Sequence, residues 1–169
     1  MLRLDLARLG REGSVQIEAR IAPDDALLEG LEASFDGPLE VRLRAAMAGS
    51  GEIVVRGTVE GSLRQQCRRC LKDVQGRLHE ELTLVFEPSD APEEDDGDVR
   101  TFDERAGELD LSGPVREELI LAVDPYVVCD PECRGLCPRC GADLNVETCD
   151  CTDEELDPRW ETLRALKKE

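Results

Sequence analysis

The sequence predicts an α+β protein: an antiparallel β-rich domain, built as a sheet or a partly open barrel, with one packed helix and a small cysteine-rich module at the C-terminal end. Three observations carry this. Val, Ile and Leu recur with period-two alternation through the first half. One capped helical pattern follows at residues 110–123. Six of the eight cysteines then fall between residues 129 and 151. The chain accordingly divides into a β-rich domain at 1–87, an acidic loop or linker at 88–98, a strand and helix at 99–128 that pack on the β-domain, and the cysteine-rich module at 129–169.

The strands are read first. "SVQIEAR" at residues 14–20, "LEVRLRAAM" at 39–47, "GEIVVRGTVEGSL" at 51–63 and "RLHEELTLVF" at 77–86 carry the pattern. In the second run Val41, Leu43, Ala45 and Met47 share one face and Arg42 and Arg44 the other, so one face is core and the other meets water. "GSG" at 49–51 suits a hairpin turn, because glycine supplies the positive φ that tight turns need. Antiparallel pairing follows. With three Phe, one Tyr and one Trp in the chain, the core must be aliphatic.

"EPSDAPEEDDGD" at 87–98 holds seven carboxylates, two prolines and a glycine, and lacks the apolar content for packed structure. In "DLSGPVREELILAV", Ser112 serves as N-cap, Pro114 sits in the first turn and Glu117 and Glu118 lie near the positive end of the dipole. Val115, Leu119, Ala122 and Val123 form its apolar stripe, and Asp124 before Pro125 ends it. A last short helix is expected at 157–168, marked by Trp160, Leu163 and Leu166.

The charge balance is 39 acidic against 21 basic residues, a net of -18. Such a surface repels phosphate backbones at long range and suits a basic protein partner. No apolar run approaches the roughly 18 residues that span a bilayer, and the charged opening "MLRLDLARLGREG" does not read as a secretory signal. The expected compartment is the cytoplasm, where thiols stay reduced, so eight cysteines point to metal ligation more than to disulfides.

Zn²⁺ takes four soft ligands in a tetrahedron, and two short-spaced cysteine pairs supply them. "CPRCG" at 137–141 is a strong knuckle, the glycine following its second cysteine where an ordinary side chain resists the conformation. Its partner is "CDC", Cys149 and Cys151, which would have to sit in a turn. Cys137, Cys140, Cys149 and Cys151 form the first expected site. Cys67 and Cys70, in "CRRC", with Cys129 and Cys133 would form a second that ties the zinc module to the β-domain. The other partition joins Cys129 and Cys133 to Cys137 and Cys140 and leaves "CRRC" free. Closed Cys₄ sites are structural and keep no position for water. No catalytic residues are expected. The one histidine, His79, sits in a strand without a partner motif. A thiol redox role for "CRRC" is the alternative that Arg68 and Arg69 would favour chemically, although the βαβ context of such motifs is missing.

Residues 64–77, "RQQCRRCLKDVQGR", reverse the charge of the chain, with five basic residues and one acidic. Arg64, Arg68, Arg69, Lys72 and Arg77 are therefore candidate contacts to RNA phosphate. The bland reading is that they offset thiolate charge or solvate a turn.

The order "CRRCL", an acidic spacer, "DLSGPVREELILAV", "CDPECRGLCPRCGADLN", "CDC" and "DPRWETLRAL" resembles the bacterial and plastid YceD family, the large ribosomal RNA subunit accumulation proteins. The resemblance covers nearly the whole chain. It implies a non-enzymatic part in large-subunit rRNA accumulation and ribosome biogenesis; the one or two structural Zn²⁺ are expected from the cysteine spacing itself. An adaptor for a large-subunit ribosomal protein, for rRNA or for both is the first expectation, and a regulatory RNA-binding protein the second. No small-molecule substrate and no membrane are implied.

Overall fold

The computed structural model describes residues 2–89 and 100–151. The helix expected at 157–168 and most of the acidic stretch at 88–98 lie outside the described residues.

The chain is α+β, and its strand pairing is mostly antiparallel. In order it contains β1 (Arg3–Asp5), α1 (Leu6–Glu12), β2 (Ser14–Ile21), a 3₁₀ turn (Ala26–Leu28), β3 (Ser34–Phe35), β4 (Leu39–Met47), β5 (Ile53–Gln66), β6 (Asp73–Pro88), β7 (Arg100–Phe102), β8 (Glu108–Asp110) and α2 (Ser112–Ala122). The main sheet runs β2-β4-β5-β6-β7, with β3 also pairing β5. It is an open sheet and not a closed barrel. β1 and β8 form a separate antiparallel ribbon. Among the described residues the one parallel pair is β6 with β7, Phe86 opposite Arg100.

The alternation decides which face is buried. Leu39, Val41, Leu43 and Ala45 are buried on β4 while Arg42 and Arg44 are exposed. Met47, expected on the core face, is 45% exposed at the end of β4, although its row partners Ile53 and Phe86 are buried. The cover consists of α1, α2, the 3₁₀ turn and the β1–β8 ribbon. It contributes Leu2, Leu4, Leu9, Leu28, Leu111, Val115 and Leu119 to a single, mainly aliphatic cluster with the sheet, which also takes in Phe35, Phe86 and Phe102. Burying side chains of this size is worth roughly 1.5–3 kcal/mol each.

Ser112 is the first residue of α2 and not its cap; Leu111 holds the capping position. The Ser112 hydroxyl instead accepts from the Leu2 N–H at 3.3 Å, and Asp110 takes the Ser112 N–H at 2.8 Å. The first bond pins the start of the chain to α2, a tertiary use that capping rules do not anticipate, while the second is local to the turn into the helix. The apolar stripe of α2 is as expected: Val115, Leu119 and Val123 are buried and Ala122 is half-buried.

The β5–β6 hairpin positions the site. Its strands pair from Ile53 with Phe86 to Gln66 with Asp73. β4 accompanies β5 only as far as Glu60, and β3 only at Leu63 and Arg64. The far part of the ribbon therefore projects as an arm whose closing loop carries Cys67 and Cys70. Gln65 on this arm is buried; its amide donates to the Asp124 carbonyl at 2.7 Å, and the Arg68 N–H donates to the Val127 carbonyl at 3.0 Å. These bonds lay the segment after α2 along the arm.

Candidate metal centres

The two Cys-x-x-Cys loops are built alike. In the arm loop the Cys67 N–H donates to the Lys72 carbonyl at 2.8 Å and the Leu71 N–H to the Cys67 carbonyl at 2.9 Å. In the C-terminal loop the Cys137 N–H donates to the Ala142 carbonyl at 2.8 Å and the Gly141 N–H to the Cys137 carbonyl at 2.9 Å. Each loop turns through a left-handed residue just after its second cysteine, φ 60° at Leu71 and 76° at Gly141. Glycine accepts that conformation freely, whereas a side-chain-bearing residue loses roughly 1–2 kcal/mol. Leu71→Gly is therefore expected to hold or raise thermal stability by up to about 1 kcal/mol, part of the relief being offset by the flexibility of glycine in the unfolded chain. A clear fall in melting temperature would show that Leu71 is held by packing.

All eight cysteines are free thiols, and they gather into two sets of four. Cys67, Cys70, Cys129 and Cys133 form one, with every sulfur within 4.8 Å of the others. Cys67 and Cys133 are 3.9 Å apart and Cys70 and Cys129 3.5 Å. Cys137, Cys140, Cys149 and Cys151 form the other, within the same limit. This is the cross-domain partition; the alternative that joins Cys129 and Cys133 to Cys137 and Cys140 does not occur. A tetrahedral metal with sulfur bonds of about 2.3 Å needs sulfurs about 3.8 Å apart, so the donor sets fit a metal ion of the zinc type. The turn expected for "CDC" is absent. Residues 149–151 are irregular, and their backbone brings the Cys149 and Cys151 sulfurs within 4.8 Å of those of Cys137 and Cys140.

Residues between the ligands brace the opposite set, which the spacing of the cysteines did not reveal. Lys72, two residues past Cys70, pairs with Asp143 at 2.6 Å. The Asn145 side chain accepts from the Arg134 N–H at 2.7 Å and donates to Asp143 at 2.7 Å and to the Cys133 sulfur at 3.5 Å. The Leu136 N–H donates to the Arg69 carbonyl at 2.9 Å. The stretch between Cys140 and Cys149 thus supports Cys133 of the other set. The one sequence signal for this is the Asp-x-Asn spacing, typical of side chains that bond nearby backbone.

The electrostatics suit a cation at each centre. Burial opposes a thiolate at Cys67, but the backbone N–H groups of Cys129, Cys70 and Arg69 together outweigh it and bring Cys67 down to about 6. Cys137 falls to about 6 chiefly through the N–H groups of Cys140 and Arg139. Cys129 rises to about 12 through its contact with Cys70 and then Cys133, and Cys151 to about 12 through Cys140. Each set ionises one sulfur readily and resists further negative charge, a resistance that a dication removes. Lys72, followed by the backbone and side chain of Asn145, holds Asp143 down to about 2. Four sulfurs around one ion leave no position for water, and Cys67, Cys70, Cys133 and Cys137 are buried.

Four of the five basic residues of the arm are engaged within the chain. Arg64 pairs with Asp36 at 2.5 Å. Arg68 pairs with Glu32 at 3.3 Å, donates to the Pro125 carbonyl and lies 5.7 Å from the centre of the Tyr126 ring. Arg69 donates to the carbonyls of Cys133 at 2.8 Å and Pro131 at 3.2 Å, and Lys72 holds Asp143. Arg77 is exposed opposite Ser62. His79 lies on the solvent face of the sheet, its Nδ1 2.9 Å from Glu60, away from both cysteine sets. Among the described residues no helix is long and apolar enough to cross a membrane.

Comparison with known proteins places these features. The family described as large ribosomal RNA subunit accumulation protein YceD matches residues 55–167, which include all eight cysteines. An uncharacterized protein of Mycobacterium tuberculosis is 34% identical over 169 residues, covering 96% of this chain and 79% of its own length. An uncharacterized protein of Mycobacterium leprae is 29% identical over 167 residues, covering 94% and 74%. A protein of Arabidopsis thaliana named large ribosomal RNA subunit accumulation protein YCED homolog 1, chloroplastic, is 35% identical over 68 residues, covering 40% of this chain and 21% of its own. No solved structure matches significantly.

Proposed function

Because the chain belongs to the YceD family of large ribosomal RNA subunit accumulation proteins, we propose that it is a non-catalytic factor in large-subunit rRNA accumulation and ribosome biogenesis, acting as an adaptor whose fold is clasped by two structural Zn²⁺ ions. The observation that carries this reading is the completeness of the two four-cysteine sets, one of which draws ligands from both the arm and the C-terminal segment. Cys67, Cys70, Cys129 and Cys133 would hold one ion and Cys137, Cys140, Cys149 and Cys151 the other. When bound, the metals supply cross-linking free energy to segments too small to bury a core of their own. The reading places the protein in the reducing cytoplasm, where the thiols remain available to metal.

A net charge of -18 makes a basic large-subunit ribosomal protein the natural partner. Arg64, Arg68, Arg69, Lys72 and Arg77 remain the arm's candidates for rRNA, with Arg77 the least engaged. The expected result of deleting the gene is a fall in large-subunit rRNA relative to small-subunit rRNA. Affinity capture of the tagged full chain is expected to retain a basic large-subunit protein after ribonuclease treatment. Capture abolished by ribonuclease would favour the RNA-binding alternative. An unchanged rRNA ratio would contradict the function.

A further inference from the structure

The sheet's solvent face carries a pair of arginines whose placement the fold does not need. Arg44 on β4 stands directly opposite Arg56 on β5, in a row completed by Gln16 on β2 and Thr83 on β6. Like charges directly opposite across strands are destabilising. Carboxylates are not scarce, since the chain has 39 acidic residues. Elsewhere on this face arginines are matched to them: Arg20 meets Glu40 at 2.8 Å and Arg42 meets Glu60 at 3.4 Å. Arg44 makes one 3.4 Å hydrogen bond, to the Ser14 hydroxyl, and neither Arg44 nor Arg56 forms an ion pair among the described residues. The carboxylates closest in register, Glu18 and Glu81, stand one row along, opposite Arg42 and Thr58.

Arg44 and Arg56 border a depression of about 360 Å³ that Ala46, Met47 and Val54 also line. Met47 at the end of β4 is exposed here. Two guanidinium groups beside a small apolar floor match one ligand chemistry: an anion bearing an attached apolar body.

We propose that this depression seats a nucleotide of single-stranded RNA, its phosphate held by Arg44 and Arg56 and its sugar and base laid against Met47 and Val54. The site rests on the rRNA reading above and locates the RNA contact on the sheet face, away from the arm whose basic residues are mostly spent on intramolecular bonds. A phosphate between the guanidinium groups converts their mutual repulsion into two attractive pairs, and the planar fork of arginine suits its oxygens. A duplex would keep its bases stacked inside and leave the apolar floor uncovered, which is why the single strand is the better occupant.

The test measures binding of a labelled single-stranded RNA oligonucleotide by zinc-loaded full-length protein between about 50 mM and about 200 mM salt. Arg44→Ala with Arg56→Ala is compared with Arg3→Ala with Arg8→Ala, which removes the same charge from ion-paired residues of β1 and α1. Each phosphate contact on a single strand contributes about 0.7 to the slope of log K against log salt. The first double variant is expected to flatten the slope by about 0.7 and to melt no lower than the parent, while the second keeps the parental slope. Equal slopes for the two double variants would overturn the site and leave the rRNA reading standing. No binding by the parent at the lowest salt would overturn both the site and direct RNA contact. Displacement of the RNA by polyglutamate at equal charge would overturn the choice of RNA and assign the pair to an acidic protein.

Discussion

Cys133→Ser is expected to remove one of two metal ions per chain and to free the C-terminal segment from the hairpin arm, at a cost of about 4 kcal/mol or more, the range reserved for lost metals and buried networks. Cys133 is where three supports converge. Its sulfur lies 3.9 Å from Cys67, its carbonyl accepts from Arg69 at 2.8 Å and its sulfur accepts from Asn145 at 3.5 Å. A serine oxygen is a harder and shorter ligand, so the metal would be lost along with the link that its set makes between chain segments 59 to 66 residues apart. Hydrogen exchange should then speed up in residues 61–78 and 124–136 together. Cys149→Ser, in the other set, is expected to lose one metal while the arm stays protected. Identical exchange maps for the two variants would show that the sets do not divide the work in this way.

Gly57→Ala is expected to cost about 3 kcal/mol or more, the upper range of overpacking, and to lower the melting temperature by roughly 6–12 °C in a chain of this length. A Cβ at residue 57 would stand 2.0 Å from the Arg42 carbonyl oxygen and 2.8 Å from Leu43 Cα. Both are backbone atoms of β4, paired with β5 across eight registered positions, and they cannot retreat without breaking the sheet beneath the aliphatic core. Gly61→Ala is the control. There the nearest atom is Leu39 Cδ2 at 2.2 Å, the far end of a side chain that can rotate aside, so a smaller loss is expected. Equal losses at the two positions would mean that β4 gives way more readily than its pairing implies.

What could be read in the sequence was what repeats locally. The alternation of Val41, Leu43 and Ala45 with Arg42 and Arg44 places the core face of β4, and the spacing of Cys137 and Cys140 marks a knuckle, because both patterns depend on the chain's own short-range geometry. The elements that escaped are those fixed by distant partners. β1 has three residues, too few for a period to show, and of β7 and β8, equally short, the sequence led to one expected strand within 99–128 without its position or partner; all three exist through pairing with other strands. The α1 helix, seven residues long, rests on Leu9 in the core and on the Asp5 cap. Met47 continues the core alternation yet is exposed at the end of β4, and Ser112 bonds Leu2 instead of capping α2. At the metal centres the cysteines could be counted and grouped, whereas Asp143 and Asn145 became visible only when the arm lay beside them.

The account turns on two closed four-cysteine centres, one of which joins the arm to the C-terminal segment. Metal analysis of the purified full-length protein, combined with thiol titration, tests it most directly. The expected result is two zinc ions per chain with all eight thiols unreactive until a chelator is added. One zinc or none, with Cys67, Cys70, Cys129 and Cys133 freely reactive in the folded protein, would contradict it.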